Sequence, residues 1–410
     1  MTINQICRIF LPFAFGFYLS YLYRSVNAII APDLINDIGV GASSLGLLSS
    51  AYFISFAIFQ IPLGIILDRL GPRKVEATLL IFAALGAGIF AASNALSSLI
   101  IGRALIGLGV SACLMASFKS FVDWFPKEQL SISNGAIMMA GGLGALTATA
   151  PIEFVLEFTD WRGIFWILSA LTLISSFIIY YIVPEPPIGR KIDGDASLRE
   201  QIFGLLEVIR DPIFQRYIPF SVTSQGAMLA LQGLWIGPWL RDVGGLTRAE
   251  TASSLLIMAL ALASGFLSWG IIGERLGRYG FSTMKISLFG VGVFLIVQLT
   301  IILEPIGFTM PVVIMFGFFG TAGSLSYAGL IQNFPAHLSG RVYTTANLLV
   351  FLLAFLGQWG IGIIIDLWPY TVAGRFSPFG YQISFAVVLF IQIIAFLWIG
   401  VSKFIWGQIK

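Results

Sequence analysis

Two arginines, Arg24 and Arg103, stand inside long apolar runs of the chain. A charge at such a place is costly in a bilayer and is kept where it faces a cavity or a partner. A guanidinium can hold a carboxylate or phosphate through two parallel N–H bonds, so the chemistry on offer is anion recognition rather than bond-making. Arg24 is read as a substrate contact. Arg103 either joins it or pairs with Glu153, two residues past Pro151. A permanent pair, or the capping of carbonyls freed at a glycine-rich kink, is the structural alternative for both. Glu153 is the carboxylate chosen to carry a proton, because apolar surroundings and a neighbouring arginine pull its proton affinity in opposite directions. A rim position wetted from outside is the alternative there.

The rest of the chain is built to place such groups at depth. Apolar residues make up 58% of the 410 and charged residues only 10%; a soluble protein carries roughly a quarter charged residues. The mean hydropathy is +0.92. Charges collect between apolar runs of about 20 residues, the length that crosses the hydrocarbon core as a helix. Twelve such runs are read, at 8–32, 43–67, 75–95, 97–121, 130–157, 161–183, 213–240, 249–273, 281–303, 309–333, 339–366 and 380–404. The expected fold is an all-α membrane protein of two pseudo-symmetric six-helix bundles, 1–183 and 213–410. A polar linker, 184–212, joins them. Within it, Ser197-Leu-Arg-Glu200 has capping-box spacing, and Leu198, Ile202, Leu205, Leu206 and Ile209 follow at helical intervals, as in an amphipathic helix on the cytoplasmic face.

Most of the 23 lysines and arginines then fall on one side, which the positive-inside rule makes the cytoplasm, with both termini there. The first run is too long for a signal-peptide core and is interrupted by Arg24, so it is read as an uncleaved span. Cys7 and Cys113 are far apart, and His337 is the only histidine. No metal site, cofactor or nucleic-acid partner is expected; the bilayer is the surrounding partner, and the protein is expected to act as a monomer.

Gly64-Ile-Ile-Leu-Asp68-Arg69-Leu70-Gly71-Pro72-Arg73 returns as Gly270-Ile-Ile-Gly-Glu274-Arg275-Leu276-Gly277-Arg278, 206 positions later. The repeated loop, after the second and eighth runs, resembles the inter-helix signature of the major facilitator superfamily. Arg103-x-x-x-Gly107-x-Gly109 and Trp161-Arg162-x-x-Phe165 are similar to companion motifs of that family. Asp68, Arg69, Arg73, Glu274, Arg275 and Arg278 are read as gating residues, whose charge pairs latch helices in one state and release them in another. Their other service is topogenic charge. Tyr21-x-x-Arg24-x-x-Asn27 is similar to the first-helix pattern of the family's organic-anion symporters, although Tyr23 stands where that pattern carries an acid. Ser111 and Ala112 likewise replace an acid after the fourth-run glycines.

The resemblance implies that runs 1, 4, 7 and 10 line the cavity. Gln225, Gln232, Trp235, Tyr327 and Asn333 would then face it from the second half, the amides as hydrogen bonders and Tyr18, Tyr21 and Trp235 as walls. Trp239 is read as an interfacial anchor near Arg241. The expected function is secondary active transport of a small organic anion, coupled to protons as symport by alternating access. The expected location is a bacterial inner membrane. A proton-driven exporter of drugs or metabolites is the second reading. A polytopic enzyme is disfavoured by the lack of a catalytic cluster beside the membrane, and a primary pump by the lack of a phosphate-cradling Gly-x-x-x-x-Gly-Lys-Ser/Thr loop.

Overall fold

The computed structural model describes residues 3–185, 198–303, 309–335, 338–371 and 374–406. The described residues form helices at each of the twelve expected runs. Ten of these helices are long and apolar enough to cross a membrane. The fifth, at Lys127–Thr147, is more polar, and the seventh is a composite, Pro212–Ala230, Leu231–Trp235 and Ile236–Asp242. The chain divides into two compact units, residues 1–38 with 51–201 and residues 39–50 with 202–410.

In the first unit the membrane-crossing helices pack through their small residues. Gly144 of the fifth span lies against the carbonyl of Tyr18 in the first, so close that a Cβ there would strike backbone. Gly142, in the same glycine cluster, meets nothing and faces open space. Large aromatics fill the interior: Phe90 and Phe165 stack at 4.2 Å between ring centres, and Trp161 packs edge-on to Phe90. The opposite faces of the third and sixth helices, with Phe82, Leu85, Trp166 and Phe177, are exposed, as a lipid-facing surface requires. At the rim Asp160 caps the sixth span by accepting from Gly163 N at 2.7 Å. Asp37 accepts from Trp161 Nε1 and Arg162 Nη1, which ties the end of the first span to the start of the sixth.

The second unit is held by amides as well as by packing. Gln298 and Gln392 donate to each other's carbonyl oxygens at 3.1 and 2.8 Å, joining the ninth and twelfth spans. Asp211 caps the seventh span through Ile213 N and Phe214 N, with Pro212 at the first turn. The linker helix Leu198–Arg210 lays Val208 into a cluster with Phe214, Ile218, Leu330 and Val342. The Ser197 half of its expected capping box, and His337, lie outside the described residues. Residues 39–50 belong to this unit because Asp366 accepts from Ala42 N and Ser43 N at 2.9 and 2.7 Å, and Gly362 packs on the Ala42 carbonyl.

The four spans that the family resemblance places at a cavity are each interrupted near mid-membrane. The first breaks at Val26, between Leu11–Ser25 and Asn27–Ile38. The fourth breaks between Leu96–Gly109 and Cys113–Trp124, the seventh becomes a π-helix at Leu231–Trp235, and the tenth tightens to a 3-10 turn at Thr321–Ser324. Irregular backbone survives at membrane depth only where protein or a wet cavity satisfies it. At the fourth-span break the side chain of Gln60 does so, donating to the Ser111 carbonyl at 3.0 Å. The fifth span breaks too, at Ala148–Thr149, where Thr149 Oγ1 donates to Leu146 O.

Candidate functional site

Tyr18, Tyr21 and Arg24 recur every third residue, so they share one face of Leu11–Ser25, and all three are partly accessible. The Arg24 guanidinium carbon lies 4.5 Å from the Tyr21 ring centre, 5.7 Å from Phe56 and 5.9 Å from Tyr52. Aromatic faces attract a cation through their ring electrons while carrying no net charge of their own.

Arg103 is more deeply buried, only 1% exposed, and its guanidinium carbon lies 5.4 Å from the Tyr52 ring centre. Its Nη1 donates to the Tyr23 carbonyl at 2.9 Å, a bond from the fourth span to the backbone of the first. Tyr52 therefore stands between the two arginines, its hydroxyl donating to Ser20 O. Tyr23, at the position where the symporter pattern carries an acid, hydrogen-bonds Thr172 of the sixth span at 2.9 Å. Glu153 is partly accessible on the short helix Ala150–Val155.

Tyr52 and Glu76 carry no sharp signature in the sequence, whereas Asn27 stands in the first-helix pattern. Tyr52 is one aromatic in an apolar helix. Asn27 is fully buried with neither amide atom hydrogen-bonded. Glu76 is 0% exposed, and neither carboxyl oxygen has a hydrogen-bond partner. It falls inside the third apolar run, so its depth is legible, but its closeness to Arg73 and Lys74 makes it read as a loop charge.

In the second unit Gln225 and Gln232 are partly accessible, and the Gln225 amide abuts Gly323 in the tenth-span turn. Trp235 is 0% exposed; its Nε1 donates to Gln358 O at 2.8 Å, and its ring meets Phe376 and Tyr381. It ties the seventh span to the eleventh rather than presenting a free face. Trp239, expected as an interfacial anchor, is buried at 4% exposure. Tyr327 is partly accessible beside Tyr343. Asn333 is exposed at a helix end and donates back to Gly329 O at 2.6 Å.

The two signature loops differ. Asp68 pairs with Lys119 of the fourth span, while Arg73 donates to Val183 O and pairs with Glu185 at 3.6 Å. Gly71 adopts φ +80°, which turns the chain directly into the third span. In the second copy the helix runs on to Arg278, and the left-handed residue is Gly280. Glu274 there pairs with Arg278 on its own helix at 2.6 Å. Arg69 and Arg275 are exposed.

Ten helices long and apolar enough to cross a membrane, with further helices at the remaining two expected runs, define a class: a carrier-type integral membrane protein. The family model of the Major Facilitator Superfamily matches residues 13–358, and the chain belongs to that family. It is 26% identical over 172 residues to the hexuronate transporter of Escherichia coli strain K12, a match covering 42% of this chain and 40% of that protein's length. Over 94% of this chain and 89% of the other, it is 24% identical to a probable nitrate/nitrite antiporter of Thermus thermophilus. Among solved structures, a bacterial homolog of the human lysosomal transporter Spinster superposes with a TM-score of 0.80 at 15% identity, over 98% of each chain, which shows a shared fold.

Proposed function

We propose that the protein is a secondary transporter that moves a small organic acid together with protons by alternating access, and is not an enzyme. The observation that carries this reading is Arg24: a guanidinium at membrane depth, partly accessible, cushioned by Tyr21, Tyr52 and Phe56 and flanked on its own helix face by Tyr18. A carboxylate would take its two N–H bonds, and the tyrosines would take the hydroxyls of a polyol chain. The names of the two relatives, both carriers of anions, agree with a negatively charged cargo.

Uptake by proteoliposomes tests this. D-glucuronate and D-galactonate are expected to enter faster under an inward acid gradient, and D-glucose is not. Arg24→Gln should weaken binding of the anion by about 10- to 100-fold, the scale of a lost charge-assisted pair. Competition by drugs or neutral solutes alone, with no effect of any carboxylate or nitrate, would overturn the anion reading in favour of export of uncharged cargo.

A further inference from the structure

We propose that Glu76, on the third span, is the carboxylate that carries the coupled proton; this rests on the proton-coupled reading above. Its carboxyl group sits where the first, third and fourth spans meet. A Cβ added at Gly16 of the first span would collide with its Oε1, so a glycine keeps the space open for it. On the other side lies the Cys113 thiol, the first residue of the helix that restarts the fourth span after its break. The thiol is beside the carboxyl without making a hydrogen bond of ordinary distance and angle, and both carboxyl oxygens are left without a partner.

A charged carboxylate in so dry and unpaired a place is strongly disfavoured, and a protonated one is tolerated. Two nearby features can reverse that preference. The first turn of Cys113–Trp124 is the positive end of a helix dipole. The Cys113 thiol, in contact with Glu76, also lies within electrostatic reach of Arg24. The sixth span brings Ile179 beside Gly16, and its Ser176 donates to Ala77 O, next to Glu76 in the chain. The cations nearby in sequence or space turn elsewhere, Arg73 to Tyr180 and Val183 O, and Arg103 to Tyr23 O and Tyr52.

The coupling follows from sign. An anion on Arg24 cancels the positive field reaching this corner, and the Glu76 O–H bond then holds. When the anion leaves, the field returns, the O–H bond breaks and H⁺ passes to water. Anion and proton therefore favour each other's binding, which by reciprocity is what a symporter needs. No other bond changes. Glu153, on a short helix at a break in the fifth span, is not required for this step.

The test uses the full-length protein in proteoliposomes with D-glucuronate and an internal pH dye. Wild type should take up protons with the sugar acid. Glu76→Gln, an isosteric mimic of the protonated acid, should retain glucuronate exchange across the membrane but lose acid-driven accumulation by about tenfold, together with the proton signal. A wild type that is proton-coupled and a Glu76→Gln variant that still accumulates under the gradient would overturn the assignment while leaving the function intact. A wild type that carries glucuronate without protons would overturn both. Infrared difference spectroscopy gives a reading that needs no transport: adding D-glucuronate at neutral pH should bring in the carbonyl band of a protonated carboxylic acid in the wild type and not in Glu76→Gln. Its absence also overturns the assignment.

Discussion

At the scale of single residues, the two arginines that stand out in the sequence are set to different work by their surroundings. Arg24 is partly accessible among rings, whereas Arg103 is buried and bonded to a backbone carbonyl. Their substitutions should separate in a thermal-shift assay of purified protein. Arg103→Gln strands the Tyr23 carbonyl and should lower the melting temperature of the empty protein, by a loss of about 3 kcal/mol. Arg24→Gln removes the ring contacts and should lower the empty protein's melting temperature less than Arg103→Gln does, while abolishing the extra stabilisation given by glucuronate. The arginines are legible because a cation in an apolar run has no bland explanation. Tyr52 is not, since its position between them depends on how two helices cross, and Glu76 is masked by the basic loop three residues upstream.

At the scale of helices, the twelve runs are readable from length and hydropathy to within a few residues, because a bilayer fixes how much apolar chain a crossing needs. Where those helices break is not readable. The fourth-span glycines hint at a kink, but the interruption lies just beyond them at Val110–Ala112, and the π and 3-10 segments leave no compositional trace. Close packing is only half legible. Gly144 touches backbone and Gly142, two residues earlier, touches nothing. Gly144→Val is therefore expected to destabilise by about 1–3 kcal/mol and Gly142→Ala to be nearly neutral, as measured by the melting temperature in detergent. Two residues past the expected apolar run 213–240, at the last residue of its helix, Asp242 accepts from Tyr381 at 2.8 Å, and burial raises its carboxyl above the ordinary aspartate range despite that bond and the nearby Arg241 and Arg375. A raised acid holds its proton better folded than unfolded. Its contribution is thus greatest below about pH 4 and is lost as pH rises toward the folded value. Melting temperatures of wild type and Asp242→Asn should converge on acidification, with the variant showing the flatter slope.

At the scale of the whole chain, the sequence divides at the polar linker, yet the contacts divide it differently. Residues 39–50 lead into and begin the first half's second crossing, Ala42–Leu70, but cluster with the second unit, since Asp366 holds the amides of Ala42 and Ser43. No periodicity announces a carboxylate that grips a helix start 323 positions away. Asp366→Ala should weaken this grip by about 1 kcal/mol, roughly a fivefold change in how often the segment is released. The alkylation rate of a cysteine placed at Ser43, in a Cys7→Ser background, reports it; an unchanged rate would show that Gly362 packing alone suffices.

The two signature loops carry an inheritance that has since been split. The first copy spends its acid on Lys119, a residue of another helix, and its Arg73 on the far end of the sixth span. The second spends its acid on an arginine one turn along the same helix. Twin wording thus conceals unequal duties: erasing Asp68 unfastens two neighbours from each other, whereas erasing Glu274 unfastens, among the described residues, only its own coil. The repeat holds one pair that bridges two helices and one confined to a single helix.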